Sequence, residues 1–193
     1  MTIFNTVYKS FKASRLPSEY QEVEYIQSSW TQKISTGYTT NNNIRIVTKF
    51  MCNWNSVNVV FGTSLSSWNW NSCLCFLNSS VIEVWASTSV SFSATTWTDY
   101  EMDYTLSSIT VNWTTQTLSA TTGSYELTLF YWNTNWWKTR IYSFEIYTWT
   151  TLERDFVPCY RKLDSVIWMY DLVNDVFYTN SWSWTFTKWP DVN

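Results

Sequence analysis

Glu101 and Asp103 come nearest, by type and spacing, to residues that could do chemistry in this 193-residue chain. They alternate with Tyr100, Met102 and Tyr104, so in a strand both carboxylates share one face and the apolar residues the other. Paired carboxylates at the right separation divide glycosidic hydrolysis between an acid and a base or nucleophile. The plainer expectation is an ordinary half-buried strand with a solvated carboxylate face. The chain contains no histidine, so a Ser-His triad cannot be built. No glycine-rich phosphate loop is recognisable either. The expectation is therefore a non-catalytic protein with no cofactor.

The four cysteines are Cys52, Cys73, Cys75 and Cys159. Cys73 and Cys75 stand two apart in an apolar run, which places both on one face of a strand and does not match paired Cys-x-x-Cys units. Buried free thiols are expected, with a disulfide as the alternative. A metal site is not expected.

Net charge is −3, and only 14% of residues are charged. A duplex-binding surface normally carries a basic excess, so nucleic acid is not an expected partner. No run has the apolar length needed to span a bilayer. Residues 1–16 lack the continuous apolar segment of a secretory signal. They carry Lys9, Lys12 and Arg15 without an acidic residue, and read as a basic arm: a solvated terminus, or an anchor on a neighbouring subunit. A single domain over residues 17–193 follows, opened by Pro17.

Strand-like runs fill that domain, among them 23–27, 44–51, 100–106, 108–112, 116–120, 125–131, 140–147, 152–159, 165–170 and 175–178. Ile44, Ile46 and Phe50 oppose Arg45, Val47 and Lys49, and Tyr142, Phe144 and Ile146 oppose Ser143 and Glu145. Many short strands of period two with frequent turns predict an all-β antiparallel sandwich or barrel. No segment sustains a helical period.

Such a fold needs many tight turns, yet the chain has only Gly37, Gly62 and Gly123 against fifteen tryptophans. Average usage would supply roughly thirteen glycines. The favoured hairpin turns need φ > 0, which glycine adopts freely and bulky residues do not. Tryptophan occupies turn-like contexts. Asn112-Trp113 follows the alternating run 108–111; Trp132, Trp136 and Trp137 lie between two strand runs; Trp68, Trp70, Trp182 and Trp184 interleave with Ser and Asn. One explanation is decoding: UGA, one base from the glycine codon GGA, is written as Trp but means Gly in the source. It predicts that Trp113, Trp136, Trp137, Trp182 and Trp184 lie in exposed turns, some with φ > 0. The alternative is a set of aromatic platforms for sugar stacking.

The string Leu16-Pro-Ser-Glu-Tyr-Gln-Glu-Val-Glu-Tyr-Ile-Gln-Ser-Ser-Trp30-Thr-Gln, followed by Thr36-Gly37, resembles the opening of a concanavalin A/laminin-G-like family of phage structural and bacterial surface proteins. The closing segments 140–147, 152–159 (Leu-Glu-Arg-Asp-Phe-Val-Pro-Cys) and 169–180 (Met-Tyr-Asp-Leu-Val-Asn-Asp-Val-Phe-Tyr-Thr-Asn) resemble it more closely. In that family, glycine stands where this chain has Trp30, Trp149, Trp168, Trp182, Trp184 and Trp189. The resemblance implies a jelly roll and a virion context (a decoration, fibre or attachment protein) with other virion proteins, a surface glycan and copies of itself as partners. It supplies no ligand-binding residues. Laminarinase-type glycoside hydrolases share the fold and carry three acidic residues at alternate positions. Here the third position is Thr105, so the acid/base carboxylate is missing.

Overall fold

The computed structural model describes residues 15–29, 32–52, 58–63, 74–78, 81–85, 87–130, 138–180 and 185–192. Among these there is no helix. The first eight strands are β1 (Tyr20–Glu22), β2 (Ile26–Gln27), β3 (Ile34–Thr39), β4 (Ile44–Cys52), β5 (Asn58–Thr63), β6 (Leu74–Asn78), β7 (Val81–Trp85) and β8 (Ser89–Ser93). Then come β9 (Asp99–Thr105), β10 (Ser108–Val111), β11 (Thr114–Thr117), β12 (Glu126–Leu129) and β13 (Thr139–Thr148). β14 (Thr151–Arg161), β15 (Val166–Asp171), β16 (Val176–Tyr178) and β17 (Thr187–Lys188) complete the order.

They form two antiparallel sheets. The larger runs β11-β10-β9-β4-β13-β14-β15-β16, with β1 on β14, β2 on β13 and β17 on β2; the smaller runs β3-β12-β5-β6-β7-β8. The described strands thus form an all-β antiparallel sandwich, one of the two architectures the alternating pattern predicts, of the jelly-roll type the resemblance implies.

Alternation decides which side chains meet between the sheets. Ile46, Phe50, Tyr104, Ile141, Phe144, Ile146 and Phe156 of the larger sheet are fully buried, as are Ile34, Val60, Phe61, Leu127 and Leu129 of the smaller. Phe61 packs edge-on against Phe144 with ring centres 5.6 Å apart. Each such ring contributes about 1.5–3 kcal/mol by leaving water. A second cluster lies on the outer side of β14–β16, where Leu16 and Tyr20 cover Val157, Cys159, Tyr170 and Phe177. The opening motif therefore begins with a cover: Leu16 is buried, and Arg15 pairs with Glu22 at 2.8 Å. Residues 1–14, which hold Lys9 and Lys12, lie outside the described residues.

Three details depart from the simple strand pattern. The run 23–27 is not one strand: it bends after Val23, because β1 is held by the far end of β14 and β2 by the near end of β13. Tyr142 faces outward, because a bulge between Ile141 and Ser143 shifts the alternation. Pro158 lies mid-strand rather than at a strand end. Its carbonyl accepts from the Val23 N–H, so its missing N–H faces the splayed side of β14 and interrupts no bond to β15.

The closing motifs build the frame. Asp171 is completely buried. Its Oδ1 accepts from the backbone N–H groups of Asp155 and Val173 at 3.0 and 3.1 Å, and its Oδ2 accepts from Asn174 Nδ2 at 2.7 Å. Arg154 Nε stands 3.5 Å from Oδ2 and also donates to the Thr36 carbonyl at 3.2 Å. One carboxylate thus joins the β15–β16 turn to β14 and, through Arg154, to β3 of the other sheet.

Turn geometry bears directly on the tryptophans. Trp149, in the two-residue turn between β13 and β14, has φ 58°, and Trp97, between β8 and β9, has φ 64°. Both are exposed, at 70% and 64%. Trp113 is 95% exposed in the β10–β11 turn, where the left-handed residue is Asn112 at φ 50°. Trp136, Trp137, Trp182 and Trp184 lie outside the described residues. Trp168 breaks the pattern: it sits within β15 and packs on Phe177 with ring centres 5.5 Å apart.

Candidate functional site

β9 places Asp99, Glu101, Asp103 and Thr105 on the outer face of the larger sheet, with Tyr100, Met102 and Tyr104 buried beneath. The alternation makes this legible. The register then sets their neighbours: Thr105 lies beside Arg45, Asp103 beside Val47 and Glu101 beside Lys49. On the other side of β4, Arg45 faces Tyr147, Val47 faces Glu145 and Lys49 faces Ser143.

Arg45 reaches along this face and grips Asp103 through one edge of its guanidinium, Nε to Oδ1 at 2.9 Å and Nη2 to Oδ2 at 2.8 Å. Its guanidinium also lies over the Tyr147 ring, 5.1 Å from the centre. Both partners of the pair are about two-fifths exposed (39% and 43%), so it stabilises the fold by at most about 1 kcal/mol. Its larger effect is to fix orientation. The Thr105 hydroxyl is engaged with Ser107 and Ser108.

Aromatic rings flank the charges. The Tyr142 hydroxyl donates to Asp99 Oδ1 at 2.9 Å, and Lys49 Nζ stands over the same ring. Burial, with the Asp99 carboxylate adding to it, pushes the Tyr142 phenol well above the ordinary tyrosine range. Tyr147 donates to Glu145, and that bond, assisted by burial, pushes its phenol up to about 12. Beyond Tyr142, Arg140 donates to Gln27 Oε1 at 2.8 Å and lies over Tyr25 at 4.3 Å, with Trp97 at 5.8 Å. Trp189 stacks parallel on Tyr25 with ring centres 6.3 Å apart.

The raised Tyr147 value carries a sign. A phenol held neutral in the fold stabilises it fully below the unfolded value of about 10, and that contribution is lost as pH rises through about 12. Denaturant midpoints of the wild type are expected to fall between these values, and those of Tyr147→Phe to fall less. Equal slopes would show that the bond to Glu145 does not persist in solution.

Two hollows lie here, one at the rim of this face and one on it. One, of about 470 Å³, lies at the rim, lined by Leu106, Leu118 and Ala120, which belong to or pack on the core between the sheets, and by Asn43, Arg45 and Trp149. The other, of about 300 Å³, lies over β10, β9, β4 and β13, among Lys49, Glu101, Asp103, Thr110, Asn112 and Ser143. Both are within or near the size of small-ligand sites.

Of the residues singled out from sequence, Glu101 and Asp103 lie together here as expected. Arg45, Tyr147, Tyr142 and Arg140 join them without having been singled out. The signal for Arg45 and Lys49 was present, since both oppose the buried residues of β4. Cys159 is a buried free thiol, and burial pushes it up to about 12. The side chains of Cys52, Cys73 and Cys75 lie outside the described residues. Among the described residues no group of three acidic, Cys or His side chains is placed to hold a metal ion. Among the described residues no helix is long and apolar enough to cross a membrane. No family model matches the chain, and no curated protein matches it.

Proposed function

We propose that this chain is a non-catalytic virion domain of a phage, a decoration or attachment piece built on a concanavalin A/laminin-G-like jelly roll. The observation that carries the reading is where the family-like motifs go. Leu16 and Tyr20 cover β14–β16, and Arg154 and Asp171 tie those strands to the second sheet. The motifs are spent on frame. The acidic pair, the one feature suggesting hydrolysis, has Asp103 gripped by Arg45 and Thr105 in the third position. In this reading the basic arm docks on other virion proteins through Lys9 and Lys12, Arg15 and Leu16 being held on the domain itself, and copies of the domain assemble on the particle. The turn tryptophans are glycine positions written as Trp through UGA.

Particles purified from the source test it. The chain is expected to co-purify with them, and Lys9 or Lys12 to cross-link to another virion protein. Recovery of the chain only as free protein would overturn the virion assignment. Release of reducing ends from a β-glucan, lost on Glu101→Gln, would overturn the non-catalytic one.

A second reading, a carbohydrate-binding module for host surface glycans, is favoured by the outer-face hollow over β10, β9, β4 and β13 with its polar lining. The two are compatible, because an attachment piece needs something to attach to.

A further inference from the structure

We infer that β11, the end strand of the larger sheet, pairs antiparallel with β11 of a second copy of this chain, so that the sheet runs on from one copy into the other. This rests on the reading that copies of the domain assemble on the particle, and gives that assembly a surface and a symmetry.

The register shows which main-chain groups of β11 are spare. Val111 and Thr114 close the turn, and beyond them Thr110 lies beside Thr115, Ile109 beside Gln116 and Ser108 beside Thr117. In an antiparallel pair, facing residues alternately exchange two bonds and none. The Asn112 N–H donates to the Glu101 carbonyl at 2.7 Å, which turns Asn112, and with it Thr110 and Ser108, towards β9. Val111 and Ile109 therefore bond Thr114 and Gln116, and the Leu118 N–H continues the series by donating to the Ser107 carbonyl at 2.8 Å. Thr115 and Thr117 point their N–H and C=O groups away from β10. No described residue takes those four groups, and both residues are exposed.

Edges elsewhere are guarded. On the far side of the sandwich β3 and β16 lean on each other. There Arg154 takes the Thr36 and Gly37 carbonyls, and Asn180, just past β16, takes the Lys33 N–H. On β8, Gln116 Nε2 takes the Ser91 carbonyl at 2.8 Å. β11 has none of the usual guards of an open edge, since Thr-Thr-Gln-Thr carries no charge, no proline and no bulge.

Self-complementarity selects a second copy as the occupant. Bonds form only where outward-pointing residues face each other. A two-fold axis at Gln116 sets Thr115 opposite Thr117 of the second copy and Thr117 opposite Thr115, so all four spare groups on each copy are used. Thr115 lies on the outer face, its hydroxyl bonded to that of Thr110 at 2.8 Å, so threonine meets threonine across the new pair. Gln116 points to the other side, towards Ser91, and meets its own image. At a two-fold axis like meets like, so a charged edge would repel itself and this neutral one does not. The charges of the outer face begin only at β9, where Asp103 lies beside Thr110. Every new bond is main chain to main chain, so the pairing holds whether Trp or Gly stands at 113. Four residues from each copy fall short of a standard stable interface, so the association is expected to be reversible and to gain strength by repetition on a particle.

The test sediments the full chain over a concentration series and follows amide exchange residue by residue. A monomer–dimer equilibrium is expected, with exchange slowing at Thr115 and Thr117 as concentration rises and unchanged at Gln116, which is already bonded to β10. Thr115→Pro and Thr117→Pro each remove an N–H that the domain itself does not use, so both are expected to melt as the wild type does. Each should weaken association about ten- to a hundredfold, because symmetry removes two bonds at once. Thr117→Lys keeps every main-chain group but sets like charges about the axis, and should weaken association more at low salt than at high. It decides the matter if a proline variant melts early. Val176→Lys, on the β16 edge, should change nothing. A chain monomeric up to about millimolar concentration would overturn the inference. So would association that the three β11 variants leave intact, or protection of Thr115 and Thr117 only when another virion protein is added. A chain found on particles yet monomeric in solution sinks this inference and leaves the virion proposal standing; a β11-dependent dimer absent from particles does the reverse.

Discussion

Asp171→Ala is expected to cost about 3–5 kcal/mol of folding stability, the usual penalty for removing one partner of a buried, hydrogen-bonded charge pair. For a chain of this size that corresponds to a fall in melting temperature of roughly 6–20 °C. The reason is that the carboxylate serves four groups at once. The N–H groups of Asp155 and Val173, the amide of Asn174 and the guanidinium of Arg154 all turn towards it, and none of its surface reaches water. Alanine would leave those donors facing a void. Asp171→Asn, which keeps an acceptor for the two backbone groups but loses the charge facing Arg154, is expected to lose less, and Asn174→Ala only about 1 kcal/mol. Because Arg154 also donates to Thr36 on β3, the Ala variant should loosen the contact between sheets, and amide exchange should quicken at β3 as well as at the β15–β16 turn. A loss below about 1 kcal/mol in chemical denaturation would mean that water takes over the vacated position.

Much of this fold is legible along the chain because burial in a sandwich follows a local rule. Tyr100, Met102 and Tyr104 point inward and Glu101 and Asp103 outward for the same reason that Ile46 and Phe50 point inward and Arg45 and Lys49 outward. The side chains of the candidate site were therefore in view, but not their pairing. Arg45 meets Asp103 across 58 residues, through a register that local pattern does not encode. The alternation groups Tyr142 with the inward Phe144 and Ile146, yet it lies on the outer face, because a single inserted residue reverses the alternation, and nothing in Ile-Tyr-Ser marks the bulge. The break in 23–27 is equally hidden. It depends on β13 and β14 parting company, so that one segment meets first one and then the other. Asp171 is the sharpest case. A carboxylate between Tyr170 and Leu172 reads as a strand end facing water, and its burial makes sense only once Arg154 and the Asp155 N–H arrive from β14.

Trp149→Gly is expected to stabilise the chain by about 1–2 kcal/mol, and Trp97→Gly by a similar amount, because a side chain at left-handed φ brings Cβ against the following carbonyl. Both residues stand in that region, at 58° and 64°. The usual cost of introducing glycine, a freer unfolded chain, offsets only part of the gain. Little packing is forfeited, since both indoles are mostly in solvent. The same substitution should have the opposite sign at Trp168, which lies inside β15 and packs on Phe177; there the loss of buried contact and strand propensity destabilises. At Trp113 the left-handed residue is the preceding Asn112, so relief of strain is not expected and the change should be close to neutral. This contrast in sign, measured by calorimetry on four single variants, separates backbone demand from a general intolerance of exposed tryptophan, which would improve Trp113 most of all. Decoding is settled by a different measurement, the intact mass of the protein from its own source. A mass matching fifteen tryptophans would sink the UGA proposal and leave Trp97 and Trp149 as strained residues to be explained by what their indoles touch. A lower mass, with glycine at 97 and 149, would explain how a fold so dependent on tight turns exists with three glycines in its written sequence.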